Sequence, residues 1–180
     1  MKRKIFCLFA HPRPRDSKIH RELRRVVENN PQVIFRDLYE LYPDFFIDVA
    51  KEQKLLQECD VIIVQHPLYW YSVPSLVKEW IDQVLVSGFA HGPEGDFLKD
   101  KLWIQVISCG GEEKNYSEDG PSDLRRYLFP IEQTAIYCSM EVLSPFVIYD
   151  AMQITHLELE KKVREYGQLV DQLIQGKRRA

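Results

Sequence analysis

The sequence predicts one α/β domain built on a doubly wound, five-stranded parallel sheet with helices on both faces. Short apolar segments alternate with longer amphipathic segments along the chain, as successive βαβ units require. Several apolar segments are nearly continuous and rich in β-branched or aromatic residues, which is typical of strands buried on both faces. The length of 180 residues fits a single domain over residues 1–180 and the strand order 2-1-3-4-5.

Apolar and amphipathic patterns locate the elements in order. The predicted strands are residues 4–10, 32–38, 60–65, 102–109 and 142–149. The predicted helices are residues 17–29, 48–58, 74–87, 122–137 and 155–174. Ser17 and Asp48 can cap their helices by accepting hydrogen bonds from first-turn N–H groups. Pro74 suits the first helical position, where its missing N–H has no partner to lose.

Composition and charge exclude several classes of function. The chain is 45% hydrophobic and 28% charged, which fits a globular domain, and its net charge of -3 argues against nucleic acid as a partner. No apolar segment approaches the ~20 residues of a membrane span, so we expect a cytoplasmic protein. The four cysteines form no Cys-x-x-Cys pair, and neither disulfides nor a metal site is expected.

In a doubly wound sheet, ligands bind beyond the carboxyl ends of the strands, so the loops after strands one, three and four are informative. The first of these loops, residues 11–17, leads into a helix N-terminus, which suits a phosphate group. Ser17 adds a hydroxyl there, and His11 adds a donor able to become cationic. A turn packed by His11 and capped by Ser17 is the alternative explanation. Neither a Gly-x-Gly-x-x-Gly motif nor a Walker A sequence is present.

The second loop has three consecutive aromatic residues, Tyr69, Trp70 and Tyr71, between two prolines. Proline stiffens a loop, and aromatic faces suit a planar heterocycle. Aromatic residues are also enriched at dimer interfaces, and the two interpretations are compatible.

The third loop contains Gly110 and Gly111, flanked by Cys109 and Glu112. Paired glycines let the backbone come close to a ligand and present N–H groups to carbonyl acceptors. A plain glycine turn explains the pair equally well. Cys109 is either redox-active beside a cofactor or a small packed residue.

Four parts of the chain carry a family resemblance: Ala10-His11-Pro12 with Ser17, residues 41–48, residues 65–92, and residues 144–146. The most specific part reads His-Pro-Leu-Tyr-Trp-Tyr-Ser-Val-Pro, followed by Lys-Glu-Trp-Ile-Asp. On these motifs the chain resembles the flavodoxin-like NAD(P)H:quinone oxidoreductases. Within that family it is most similar to the Kef-type ancillary oxidoreductases of glutathione-regulated potassium efflux systems.

The resemblance implies a flavin site in which the first loop holds the phosphate, the second borders the isoalloxazine and the third reaches its pyrimidine edge. The implied cofactor-binding residues are His11, Ser17, Lys18, Ile19, His20, Pro67, Leu68, Tyr69, Trp70, Tyr71, Ser108, Cys109, Gly110, Gly111 and Glu112. Tyr116 and His91 are candidate proton partners for the acceptor. FMN is favoured over FAD because the chain is shorter than the animal FAD enzymes. Family members often have threonines where this chain has Ser108 and Cys109.

The implied activity is two-electron, ping-pong hydride transfer from NADPH or NADH through the flavin to a quinone or other small electrophile. The resemblance also implies a homodimer in which Asp82 and residues 89–91 lie where the subunits meet. An alternative is a regulatory subunit on the cytoplasmic face of a potassium efflux protein, with a sensory or structural flavin. A one-electron carrier is less favoured. Such carriers are expected to present a strongly acidic docking face, and a net charge of -3 does not demand one.

Overall fold

Strands and helices alternate along the chain in the computed structural model, which describes residues 2–117 and 122–176. The strands are β1 (Ile5–Phe9), β2 (Val33–Asp37), β3 (Val61–Pro67), β4 (Leu102–Ser108), β5 (Glu141–Val142) and β6 (Phe146–Ile148). The helices are α1 (Lys18–Val27), α2 (Leu38–Leu41), α3 (Val49–Gln57), α4 (Ser75–Val84), α5 (Leu124–Tyr137) and α6 (His156–Ile174), with a 3₁₀ turn at Glu113–Tyr116. No helix in these described ranges combines the length and apolarity that crossing a membrane requires.

The sheet is parallel throughout and has the strand order β2-β1-β3-β4-β5, with β6 also paired to β4. Its register places Ile5 beside both Val33 and Val61, and Val61 beside Leu102. The predicted flavodoxin-like architecture, with order 2-1-3-4-5, is therefore confirmed.

The predicted fifth strand is interrupted. Its two parts pair with the same neighbour, Val142 with Trp103 and Phe146 with Val106, so one extra residue bulges out between the pairings. Leu143 still donates its backbone N–H to the Trp103 carbonyl at 2.8 Å. Pro145 has no N–H to donate, and regular pairing resumes only after it.

Two apolar layers enclose the sheet. One face is covered by α1 and α6, whose buried residues include Leu23 and Val170. The other face is covered by α3, α4 and α5, with Leu56, Trp80 and Ile131 among the buried residues. Because helices cover both faces of the sheet, a ligand can reach the sheet only at the strand ends. The three candidate ligand loops lie at the carboxyl ends.

A buried polar network ties α4 to the sheet on the second face. The Glu52 carboxylate, fully buried on α3, accepts hydrogen bonds from Arg36 Nε at 2.9 Å and from Tyr42 Oη at 2.7 Å. Trp80 Nε1, on α4, donates to the other carboxylate oxygen at 3.0 Å. Burial and the nearby carboxylate raise the pKa of Tyr42 to about 12. The network therefore holds α4, the helix that follows the aromatic loop.

The largest differences from the predicted helices concern α2 and α4. The short helix α2 was not predicted. Asp37, assigned to a strand, ends β2 and caps α2 by accepting from the Glu40 N–H at 3.3 Å. Pro74 lies at the N-cap of α4 rather than at its first helical position, and α4 ends at Val84.

Candidate functional site

The three loops predicted from the sequence meet at the carboxyl edge of the sheet. Leu68 donates its backbone N–H to the Ser108 carbonyl at 2.8 Å, which joins the second loop to the end of β4. His20 Nε2 lies 2.8 Å from Ser108 Oγ, which joins α1 to the same point. The His11 and Tyr69 rings are 6.2 Å apart, centroid to centroid. One site is thus built from three separate segments.

The first loop ends in a capped helix N-terminus. Ser17 is the N-cap, and its Oγ accepts from the His20 backbone N–H at 3.1 Å, so that N–H is already used. Helix geometry provides no acceptor for the N–H groups of Lys18 and Ile19, which leaves them for an anion. The Lys18 side chain is exposed, whereas the Ile19 side chain packs in the core. Ile19 can therefore serve a ligand only through its backbone.

His11 is neutral rather than cationic here. Burial lowers its pKa, against the opposing effect of nearby Asp16, so the imidazole carries one hydrogen at pH 7. Its Nδ1 accepts from the Arg13 backbone N–H at 3.1 Å. The hydrogen therefore lies on Nε2, and His11 is a neutral hydrogen-bond donor.

The aromatic loop is a tight hairpin. Tyr69 and Ser72 exchange backbone hydrogen bonds of 2.9 and 3.0 Å. The two residues between them, Trp70 and Tyr71, have φ angles of 47° and 62°. Bulky residues rarely adopt positive φ, and Trp70 is also 92% exposed. Strain combined with exposure of a large ring gives the fold no benefit, which makes Trp70 and Tyr71 candidates for contact with a ligand or a second subunit.

Replacing Trp70-Tyr71 with Asn-Gly should stabilise the folded protein by about 1–2 kcal/mol, because Asn and Gly accept the positive φ angles of this turn. Urea unfolding of the ligand-free protein measures the effect. The matched control, Ala-Ala, removes the same rings but keeps the strain and should give no such gain. Equal stability changes in the two variants would contradict the strain argument.

The glycine loop is fixed to the end of β6 on its Cys109 side. The Cys109 N–H donates to the Ile148 carbonyl at 2.8 Å, and its carbonyl accepts from the Ala151 N–H at 2.9 Å. The Gly111 carbonyl accepts from the Asp150 N–H at 2.8 Å. The Cys109 N–H, predicted to face a ligand, is therefore already used. The Gly111 N–H is directed at the Tyr116 hydroxyl, so Gly110 and Glu112 are the part of the loop left to supply backbone donors.

The two glycines have different surroundings. A Cβ added to Gly110 would meet no atom within 4 Å. A Cβ added to Gly111 would lie 3.2 Å from Tyr116 Cε2 and 3.3 Å from Asn115 Nδ2. Gly110 faces open space where a ligand can approach, whereas Gly111 lets Tyr116 pack against the loop.

Tyr116 and His91, the two predicted proton partners, lie in different parts of the chain. Tyr116 ends the 3₁₀ turn, half-buried, with its ring 5.8 Å from that of Tyr149. Burial raises its pKa, so it is a neutral phenol. The His91 ring is 5.1 Å from that of Tyr137, at the end of α5, and that end lies beside the start of β4. Within one chain, His91 is not brought to the carboxyl edge.

All four cysteines are buried free thiols. Burial raises the pKa of Cys7, Cys59 and Cys109 to about 12 and that of Cys138 to about 11. The thiolate is scarce at neutral pH, and Cys109 has the surroundings of a packed residue rather than a redox centre.

We expect none of the four thiols to react with a disulfide reagent at pH 8 in the folded protein, because each is both buried and protonated. Release of the coloured thiolate measures the reaction, and urea-unfolded protein, which should give four equivalents, is the control. Fast modification of one thiol that disappears in Cys109→Ala would show instead that Cys109 is reactive.

Sequence reasoning missed a cavity of about 860 Å³ beside the glycine loop, between α5 and the bulged β5–β6 edge. Its lining includes Tyr116, Leu128, Pro145 and Tyr149. Of these, the sequence points to Tyr116 as a candidate proton partner and to Pro145 only as part of the resemblance at residues 144–146. The lining residues of the cavity all fall at positions from 116 to 149, outside the three loops. We place the candidate ligand site at the loops because their N–H donors and rings converge there.

The fold and these loops define a doubly wound α/β protein with a candidate ligand site at the switch point between β1 and β3. Comparison with protein-family profiles gives the family. The chain belongs to the flavodoxin-like fold family Flavodoxin_2, whose profile matches residues 3–170.

Known proteins are similar over almost the whole chain. The glutathione-regulated potassium-efflux system ancillary protein KefG of Escherichia coli (strain K12 / DH10B) is 46% identical over 169 residues, 91% of this chain and 90% of that protein. General stress protein 14 of Treponema denticola, solved in complex with FMN, is 33% identical with a TM-score of 0.87, covering 94% of this chain and 99% of that chain.

Two further solved structures carry different functional names. An NADPH-quinone reductase from P. pentosaceus is 26% identical with a TM-score of 0.83, covering 92% of this chain and 96% of that chain. A structure from Streptomycin violaceusniger described as a thermophilic tryptophan halogenase is 36% identical with a TM-score of 0.88, covering 92% and 97%. Fold similarity alone therefore does not select the reaction, and the site has to carry that argument.

Proposed function

We propose that this protein is an FMN-dependent NAD(P)H:quinone oxidoreductase that transfers two electrons as a hydride. One observation carries the proposal: a helix N-terminus, an aromatic hairpin and an open glycine loop converge at one edge of the sheet. FMN has a phosphate, a planar ring system and a carbonyl-bearing edge, and each suits one of these features. The similar proteins described as an FMN complex and as an NADPH-quinone reductase support this choice.

The residues present fit FMN rather than an unrelated anion. The Lys18 and Ile19 N–H groups, at the positive end of α1, suit its phosphate, and His11 Nε2–H is a neutral donor beside them. The exposed Trp70 ring offers an apolar face to the isoalloxazine. Gly110 leaves room for the flavin edge, because no protein atom occupies the space where its Cβ would be.

Bound FMN would supply the hydride chemistry, and the chain would supply orientation and electrostatics. The backbone N–H groups of Gly110 and Glu112 would stabilise negative charge at the carbonyl-bearing edge. The hairpin at Trp70 would exclude water from one side of the ring. Tyr116, a neutral phenol because burial raises its pKa, would donate a proton to the acceptor oxygen.

The nicotinamide donor and the quinone acceptor would bind at this site one after the other, and such alternation gives ping-pong kinetics. The reduced nicotinamide loses a hydride and leaves oxidised. The quinone gains two electrons and two protons, one from the hydride and one from solvent through a donor such as Tyr116, and leaves as the quinol. NADPH and NADH are both candidates for the donor.

Steady-state turnover with NADPH and a soluble quinone tests the proposal. We expect the flavin absorbance to bleach with NADPH and recover with quinone, and double-reciprocal plots to be parallel. Bound FMN without turnover would reject the enzymatic function. No FMN binding would reject the whole site.

We also propose a homodimer. Helix α5 exposes Phe129, Ile136 and Tyr137, which share one helical face by their spacing of seven and eight residues. His91 contacts Tyr137 on that face, so a second subunit docked there would also cover His91. A homodimer would thereby bury these exposed apolar side chains.

Ile136→Asp should convert the protein to a monomer, because a charge buried without a partner in such an interface costs several kcal/mol. Light scattering after gel filtration measures the mass. The control, Leu157→Asp, alters another exposed apolar residue, on α6, and should leave the mass unchanged. A wild-type protein with the mass of one chain would contradict the proposal.

A second function is favoured by the similarity to KefG, described as an ancillary protein of a glutathione-regulated potassium-efflux system. In this role the protein binds the cytoplasmic face of the efflux protein, becomes peripheral to the membrane and regulates potassium release. Both roles can belong to one protein. Potassium efflux from vesicles that carry the transporter, with and without added protein, tests this role separately from quinone turnover.

A further inference from the structure

A buried histidine and a serine form a pair directly beneath the candidate site. His20 is fully buried on the inner face of α1, and its Nε2 lies 2.8 Å from Ser108 Oγ. Ser108 ends β4 and immediately precedes the glycine loop; 7% of its surface remains accessible. The Ser108 carbonyl is already used by the Leu68 N–H, so only its hydroxyl remains available to a ligand.

His20 is held neutral. Its pKa lies well below the ordinary value of 6.5, because burial and then the neighbouring His11 and His66 disfavour the cation. A neutral imidazole has one N–H and one lone pair. The position of that single hydrogen decides what the Ser108 hydroxyl can do.

The surroundings of His20 select the tautomer. Within the described part of the chain, Nδ1 is buried and has no hydrogen-bond partner. A buried N–H without an acceptor is rarer and more costly than an unpaired acceptor. The hydrogen therefore lies on Nε2, which donates it to Ser108 Oγ. The Ser108 hydroxyl is then an acceptor towards His20, and its own hydrogen is free to point elsewhere.

We propose that His20 is a positioning residue that fixes the Ser108 hydroxyl as a hydrogen-bond donor to an acceptor atom of the bound ligand. This inference rests on the proposed function, in which that atom belongs to the carbonyl-bearing edge of FMN. The pair adds a side-chain donor to the backbone donors of Gly110 and Glu112. It lies next to Cys109, whose own N–H is already used by the Ile148 carbonyl.

His66 is a natural contrast to His20. It is also fully buried and neutral, since burial lowers its pKa. Its two ring nitrogens, however, have partners inside the fold. Nδ1 donates to the Pro67 carbonyl at 3.0 Å, and Nε2, 3.3 Å from the end of the Gln105 side chain, accepts from the Gln105 amide NH2 when that amide is turned towards the ring. His66 is thus satisfied by the protein itself, and His66→Gln is a matched control.

The tautomer is tested first, on the unaltered protein, by ¹⁵N-resolved NMR of the imidazole nitrogens, with His20→Gln to assign the signal. We expect the Nε2–H form. A predominant Nδ1–H form would overturn the inference, because Ser108 would then donate to His20 instead of to a ligand. This outcome would leave the proposed function standing.

FMN binding, measured by fluorescence titration, is the second test. Ser108→Ala should raise the FMN Kd about tenfold, the size of one lost hydrogen bond, while Ser108→Thr keeps the hydroxyl and should stay within about threefold. His20→Leu should weaken binding similarly, with no further loss in the double variant, and His20→Gln should restore it. His66→Gln should leave Kd unchanged.

An unchanged Kd in Ser108→Ala, with normal binding by the unaltered protein, would overturn this inference alone. Additive losses in the double variant would also overturn it, because they would show that His20 acts independently of Ser108. Failure of the unaltered protein to bind FMN would overturn the proposed function and this inference together. If His20→Leu does not fold, the NMR measurement of the His20 tautomer and the FMN affinity of Ser108→Ala still test the inference.

Discussion

Gly110→Val should weaken FMN binding by at least about 100-fold without destabilising the fold. A Cβ at this position meets no protein atom within 4 Å, and the backbone there does not have the positive φ that would favour glycine, so valine fits the ligand-free protein. The added side chain projects into the space that the flavin edge must occupy. Overlap of even a few atoms with a rigid ring costs more than one hydrogen bond contributes.

Fluorescence titration with FMN and urea unfolding together measure this effect. Gly167→Ala is the control, because its added methyl group would only touch Val26 Cγ1 at 3.9 Å, where α6 packs against the end of α1 opposite Lys18. The control should bind FMN normally and gain a few tenths of a kcal/mol or more in stability, as alanine does over glycine in helices. Normal FMN affinity in Gly110→Val would contradict the placement of the ligand at this loop.

Glu52→Ala should lower the free energy of unfolding by about 3–5 kcal/mol, because it leaves the Arg36 guanidinium buried without its carboxylate. Tyr42 Oη and Trp80 Nε1 lose their acceptor at the same time. In a chain of this length the loss corresponds to a fall in Tm of roughly 6–20 °C.

Urea unfolding compares Glu52→Ala with Glu40→Ala. Glu40 is also a carboxylate paired with an arginine, Arg24, but the distance is 3.5 Å and the Glu40 side chain is 69% exposed. Its removal should change stability by no more than about 0.5 kcal/mol. Similar effects of the two substitutions would show that the buried network does not stabilise the packing of α3 and α4.

Periodicity predicted the fold well because its signals are local and repeated. Strands such as Val61–Pro67 are buried on both faces, so their apolar runs are unmistakable, and Asp48 caps α3 as expected from its side chain. The break in the fifth strand was not predicted. The break is a consequence of the register in which residues 141–148 pair with β4, and this register is not visible in the sequence. Pro145 interrupts the pairing only because this register places it between the two paired parts.

The sequence predicted which three loops form the site, but not the hydrogen bonds and contacts within it. Chain order and the switch-point rule place His11, Trp70 and Gly110 at one edge. No local pattern reveals that the Cys109 N–H is used by Ile148, since those residues are distant in the sequence. Likewise, nothing adjacent to His20 indicates its bond to Ser108, or that His91 lies beside Tyr137.

Titration of the purified, flavin-free protein with FMN tests the central claim most directly. We predict saturable binding of one FMN per chain, with quenching of flavin fluorescence. We also predict at least about 100-fold weaker binding of riboflavin, which lacks the phosphate held at the start of α1. Absence of FMN binding, or equal affinity for riboflavin and FMN, would contradict the account.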